Sequence, residues 1–162
     1  MKKYDIRQGM YGLYNGVLYR VLSKSSNDPI DVIKICSNNK TDLKNGFICN
    51  DSEDVIKKYG FVCIKEVPKS KITKAYNIRT YAVYKGVNAS IVGWLKDNKV
   101  ELQTNCLYGE DEEEFLKKME YAGFEFSHGE QGGYRVYAKI VSLDDPDLQL
   151  LEHRTELDIS IL

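Results

Sequence analysis

One twelve-residue pattern occurs twice in the chain and restricts its fold more than anything else in the sequence. Tyr11-Gly-Leu-Tyr-Asn-Gly-Val-Leu-Tyr-Arg-Val-Leu22 aligns without a gap on Tyr81-Ala-Val-Tyr-Lys-Gly-Val-Asn-Ala-Ser-Ile-Val92. Tyr11/Tyr81, Tyr14/Tyr84, Gly16/Gly86 and Val17/Val87 coincide, while Leu13/Val83, Val21/Ile91 and Leu22/Val92 keep their apolar character. Each copy reads as two antiparallel strands around a two-residue turn, Asn15-Gly16 or Lys85-Gly86, because a glycine tolerates the positive φ that such turns require. A chain that writes one hairpin twice is expected to write the surrounding fold twice.

The segments after each hairpin support duplication. In the first half, Ile30 to Cys36 is β-branched and strand-like, and Ser37-Asn-Asn39 and Lys44-Asn-Gly46 punctuate the stretch after it. Asp51 to Gly60 then predicts a short helix with Asp51 as its cap, Glu53/Lys57 and Asp54/Lys58 as pairs four apart, and Gly60 as its end. Phe61 to Val67 is the closing strand. In the second half, an Asp97-Asn98 turn leads to another strand, and Asp111 to Gly123 predicts a second helix with Phe115, Leu116, Met119 and Ala122 on one face. The strand Tyr134 to Val141 closes it. On this alignment Gly60-Phe61 matches Gly123-Phe124. The expectation is a β-rich α+β protein of two tandem units, 1–76 and 77–162, packed together because units this short bury too little surface alone.

Composition narrows the function classes. The chain is 162 residues long with a net charge of -1, but residues 1–80 carry 15 Lys/Arg against 8 Asp/Glu and residues 81–162 carry 8 against 16. No apolar run has the ~18 residues of a membrane helix, and the charged start, Met1 to Gln8, lacks the apolar stretch of a signal peptide. A cytoplasmic location is therefore expected, with Cys36, Cys49, Cys63 and Cys106 reduced and packed as small apolar residues. Their spacing contains no C-x-x-C pair and no nearby histidine, so no metal and no cofactor are expected.

The candidate chemistry is sparse. Glu110, Asp111, Glu112, Glu113 and Glu114 form an acidic series that can bind a basic partner, although carboxylates at a helix start also complement its partial positive charge. His128, with Glu130 beside it in sequence, can act as a general base, which keeps a small hydrolase as an alternative. Asp144-Asp-Pro-Asp147 lacks the glycine and distal glutamate of a calcium loop and reads as a turn. Twelve tyrosines exceed ordinary usage and can stack on a ligand, so a ligand- or nucleic-acid-binding module is a further alternative, but the lysines of the basic half form no stripe, which argues against nucleic acid.

With Tyr-x-x-Tyr-x-Gly-Val, a sheet, an acidic-start helix ending in Gly-Phe and a closing strand, the chain resembles tandem SH3-like barrel proteins of bacteria, some of which are immunity partners in polymorphic-toxin and contact-dependent inhibition systems. The resemblance implies two small barrels or curled antiparallel sheets with one helix each. It also implies a non-enzymatic role, occluding a cognate toxin with a basic active-site surface, and no catalytic residues.

Overall fold

The computed structural model describes residues 6–24, 29–50, 52, 62–107 and 112–162. Among them are eleven strands: β1 (Gly9–Tyr14), β2 (Val17–Val21), β3 (Val32–Ser37), β4 (Ile48–Asn50), β5 (Val62–Pro68), β6 (Ile72–Tyr84), β7 (Val87–Trp94), β8 (Lys99–Leu107), β9 (Glu125–Glu130), β10 (Tyr134–Ser142) and β11 (Leu148–Leu157). The described residues also hold one α-helix, α1 (Glu112–Ala122). The chain divides into two compact units: unit 1 comprises Met1–Ile6 and Thr80–His153, and unit 2 comprises Arg7–Arg79 and Arg154–Leu162.

Both expected hairpins form around the expected residues. Tyr14 pairs with Val17 and Tyr84 with Val87. Asn15 and Gly16 have φ of 49° and 77°, and Lys85 and Gly86 have 48° and 81°, so both turns have the doubly left-handed geometry that matches strand twist. Beyond the hairpins the strand order is also the same. In unit 2 the path is β4-β5-β3-β2-β1, and in unit 1 it is β9-β10-β8-β7-β6, so in each the fifth strand inserts between the third and the fourth.

The expectation of two tandem SH3-like barrels or curled units, each with one helix, is overturned. The eleven strands form one antiparallel sheet, because β6 is thirteen residues long and pairs with β1 through Ile72 to Ile78 and with β7 through Tyr81 to Tyr84. Strand β11 also pairs with β6. Among the described residues no barrel closes, since the terminal strands of the path, β4 and β9, end it instead of joining.

The helix assignment is corrected as well. Helix α1 lies between β8 and β9, and the segment in the same place of unit 2 is the 3-10 turn Lys40–Asn45, which the sequence presents only as punctuation. Gly46 ends that turn at φ 79°, and Gly123 follows α1 at φ 70°. Phe47 N–H donates to Asp42 O and Phe124 N–H to Met119 O, five residues back in each case, which is the same left-handed capping motif twice. The structural counterpart of Gly123-Phe124 is thus Gly46-Phe47, not Gly60-Phe61. The helix expected at 51–60 lies outside the described residues, apart from Ser52.

Period-two burial builds a core in each unit. In unit 2, Tyr19 and Val21, then Ile33 and Ile35, point inward with Phe47, Cys63, Val67 and Leu162. In unit 1, Val87, Ala89 and Ile91 of β7 and Val100 and Leu102 of β8 meet Met119, Ala122 and Phe124. Each fully buried Leu or Ile contributes about 1.5–3 kcal/mol, so the inward face stabilises each unit. The outward faces are left for function.

Candidate functional site: an open cleft on the outward face of unit 1

Strand β7 alternates buried apolar residues, Val87, Ala89 and Ile91, with exposed ones. On β7 the exposed positions are Asn88, Ser90 and Val92. Register places them beside partners from four other strands: Tyr81 opposes Ser90, Ser90 opposes Gln103, and Gln103 opposes Ala138. In the next row Val83 opposes Asn88, Asn105 opposes Val136, and Val136 opposes His128. Strand β11 brings Leu151, Glu152 and His153 to the same space, and the result is a cleft of about 660 Å³.

The lining has a definite chemical character. Asn88, Gln103 and Asn105 each offer both a donor and an acceptor, and Ser90, Thr104 and Tyr81 add hydroxyls. Val83, Val92, Val136 and Leu151 supply aliphatic patches, and Glu130 and Glu152 supply carboxylates. No lysine or arginine is among the described lining residues. Apart from His153 and the Tyr81 phenol, the ionisable side chains of the described lining are thus two carboxylates, a composition that favours cations over phosphate.

His128 stands on β9, its row ending beside Val136 of the cleft. Its Nε2 is 3.6 Å from Glu130 Oε1, and its Nδ1 is 3.0 Å from Ser127 Oγ. A hydroxyl, an imidazole and a carboxylate are thus in contact, as general-base chemistry needs. Their setting is wet, however: every residue of β9 is exposed, so water competes for each of these contacts and the low-dielectric enclosure that strengthens catalytic electrostatics is not provided here.

The acidic series is placed at the start of α1. Glu110 and Asp111 lie outside the described residues. Glu112 pairs with Arg135 of β10, Glu113 with Lys117 at 2.7 Å, and Glu114 with Lys118 at 2.8 Å. The hydrogen bond from Lys118, with its positive charge, holds the Glu114 carboxyl below the usual carboxylate range. The two i,i+4 pairs are those the sequence predicts. Each of these described carboxylates already faces a cation, which lowers the field it projects.

Unit 2 places polar chemistry inside instead. Asp42 is buried and accepts from Ser37 Oγ at 2.5 Å, Asn45 Nδ2 at 2.9 Å and Tyr19 OH at 3.1 Å. Burial alone would raise this carboxyl, but those hydrogen bonds, with Lys44 nearby, hold it below its ordinary value. Tyr19 is pushed up to about 12 by burial and by Asp42. This network braces the 3-10 turn against β2 and β3.

Cys49 and Cys63, opposed across β4 and β5, are joined in a disulfide, which corrects the expectation that all four cysteines are reduced. Cys36 and Cys106 are thiols, and burial pushes the Cys36 thiol up. No group of three metal-ligating side chains converges among the described residues, and no helix among them is long and apolar enough to cross a membrane. Asp144 to Asp147 forms the expected turn, with Asp145 N–H donating to Ser142 O and Tyr84 OH donating to Asp145 Oδ2 at 3.2 Å.

Sequence reasoning missed the cleft because its residues come from six strands and form no continuous motif, the longest run being three residues. One signal was available. The central outward positions of β7 and β8, Asn88, Ser90, Gln103 and Asn105, are neutral and polar, where a face turned only to solvent usually carries Lys and Glu.

No curated protein matches the chain, and no solved structure does. Residues 6–157 match the model of the family described as Uncharacterised conserved protein UCP033725. With that match running from before β1 through the end of β11, both units included, the chain belongs to this family.

Proposed function

We propose that the chain is a non-enzymatic binding protein that seats a protein partner in the cleft of unit 1, and that it works as an immunity-type inhibitor by occluding a bacterial toxin. The observation that supports this reading is the lining of the cleft, where neutral amides and hydroxyls lie beside Glu130 and Glu152, with no lysine or arginine among the described lining residues. A toxin that handles nucleic acid carries a basic active surface, and a cleft bearing two carboxylates complements it while disfavouring the nucleic acid itself. The carboxylates Glu112, Glu113 and Glu114 add long-range attraction, moderated by Arg135, Lys117 and Lys118.

The test is one-to-one binding to the C-terminal domain of a polymorphic toxin encoded by the neighbouring gene, followed by calorimetry at low and at physiological salt. Gln103→Trp fills the middle of the cleft and is expected to weaken binding at least tenfold with the circular dichroism unchanged. Reversal of Glu112, Glu113 and Glu114 to Lys is expected to weaken it more at low salt than at high, since exposed charges are screened beyond about 8 Å at physiological ionic strength. Wild-type affinity in the folded Gln103→Trp protein overturns the placement in the cleft. Absence of any complex with the toxin domain overturns the inhibitor role.

A further inference from the structure

We infer that the cleft of unit 1 recognises an extended peptide segment bearing a basic side chain, laid across the strands with its cation toward Glu130 and Glu152; this rests on the binding-protein reading above. Three properties of the cleft point to that ligand class.

The first is length. The lining runs from Tyr81 on β6 through β7, β8 and β10 to Glu130 on β9. Those strands are separated by four steps of ~4.8 Å, or about 19 Å in all, which is the span of roughly six extended residues at ~3.3 Å each.

The second is hydrogen-bonding pattern. A peptide offers one N–H donor and one C=O acceptor at each residue. The side-chain amides of Asn88, Gln103 and Asn105 carry the same pair of groups and stand on the outward face of neighbouring strands; Gln103 Nε2 already donates to Glu101 Oε1 at 3.0 Å, which leaves its carbonyl oxygen and second N–H for a ligand. Between them the aliphatic side chains Val83, Val92 and Val136 can receive alternate side chains of an extended segment. Tyr81 is the one phenol, phenyl or indole ring among the described lining residues, so the stacking platforms expected for a base or a sugar ring are not the dominant feature.

The third is charge. Glu130 and Glu152 are the carboxylates among the described lining residues, which include no lysine or arginine. Glu130 sits 3.6 Å from His128, with both side chains about half exposed. A guanidinium or ammonium from the ligand can replace that imidazole contact with a stronger, charge-assisted one.

The test uses the full-length protein and a fluorescein-labelled positional-scanning octapeptide library read by anisotropy. Arg or Lys is expected to be selected at one position, with Glu at that position binding at least tenfold more weakly. Glu130→Gln with Glu152→Gln is expected to erase the preference for the cation by about tenfold, the scale of one lost charge-assisted hydrogen bond, while selection for flanking Val or Ile persists. A library without cation selection, or a double variant that keeps it, overturns the inference. Saturable binding of a neutral hexasaccharide that Gln103→Trp abolishes also overturns it, and leaves the cleft as a binding site for a different ligand. If Gln103→Trp leaves toxin-domain affinity unchanged, the placement of the toxin in the cleft fails as well, whereas the inhibitor role fails only if no complex with the toxin domain forms.

Discussion

Units 1 and 2 share a strand order, a turn geometry and a capping motif, yet equivalent rows across their sheets hold different side chains. In unit 1 the row reads Tyr81, Ser90, Gln103, Ala138, Glu125. In unit 2 it reads Tyr11, Arg20, Cys36, Ile64, Ile48. Ser90 and Ala138 are small and neutral, whereas Arg20 and Ile64 are large. Tyr81 is exposed and Tyr11 is buried. Unit 2 invests instead in its interior, with the Asp42 network and the Cys49–Cys63 disulfide. One backbone plan thus carries an open cleft in one unit and an internally braced core in the other, and the difference lies in the side chains at matched positions.

The largest effect expected from this comparison is on the capping phenylalanines. Phe47→Ala and Phe124→Ala should each cost about 3–5 kcal/mol, because both rings are buried after the cap glycine and contact a core tyrosine, Tyr19 at 5.0 Å and Tyr84 at 6.5 Å. Urea unfolding measures this. A cost under about 1 kcal/mol for Phe47 alone would break the equivalence of Gly46-Phe47 with Gly123-Phe124.

Next comes the covalent tie. Cys49→Ser with Cys63→Ala should destabilise unit 2 by about 3 kcal/mol, the loop-closure value for a bridge between residues 14 apart. Native-state hydrogen exchange at β4 and β5 reports it directly. Unchanged exchange at these strands would mean that the ladder alone holds β4.

A third effect depends on pH. The Tyr19 phenol, at about 12 when folded against ~10 unfolded, keeps a proton that the unfolded chain releases between those values. Its contribution of roughly 2–3 kcal/mol is full below pH 10 and is lost as pH rises toward 12. Burial and Asp145 also raise Tyr84 in unit 1, so the shift has the same sign there. Unfolding series from pH 9 to 12 should flatten more for Tyr19→Phe than for Tyr84→Phe. Equal flattening would erase this distinction between the units.

The smallest effect tests sameness. At Gly16 and Gly86 an added Cβ meets nothing within 4 Å, and φ is +77° and +81°. Alanine at either position should therefore cost the left-handed strain alone, about 1 kcal/mol. Costs that differ by more than ~0.5 kcal/mol in thermal unfolding would show that the two turns are not interchangeable.

The features legible in the sequence were local. The hairpins could be read because the φ-permissive residue and the alternating strands lie within a dozen positions, and α1 could be read from Glu113/Lys117 and Glu114/Lys118. The insertion of β5 between β3 and β4, and the double pairing of β6, could not, because no short-range signal encodes which distant edge a strand will join. The 3-10 turn at Lys40–Asn45 was hidden by its Asn and Gly residues, so the Gly-Phe pairing was drawn to Gly60-Phe61. Of the site, the His128–Glu130 contact and two ion pairs of the acidic series could be read. The cleft could not, since it exists only once register sets Tyr81, Ser90 and Gln103 side by side.

Unit 2 contains residues from both sides of the 80–153 segment of unit 1, with Leu162 in its core. On a ribosome its first segment is therefore made before residues 80–153 and its last segment after them. At about 5–20 residues per second, synthesis of residues 80–153 takes on the order of 4–15 s. Throughout that interval the hydrophobic surface awaiting Leu157, Ile159 and Leu162 is exposed on the nascent chain, which makes unit 2 the part of this protein with most to gain from a chaperone during translation.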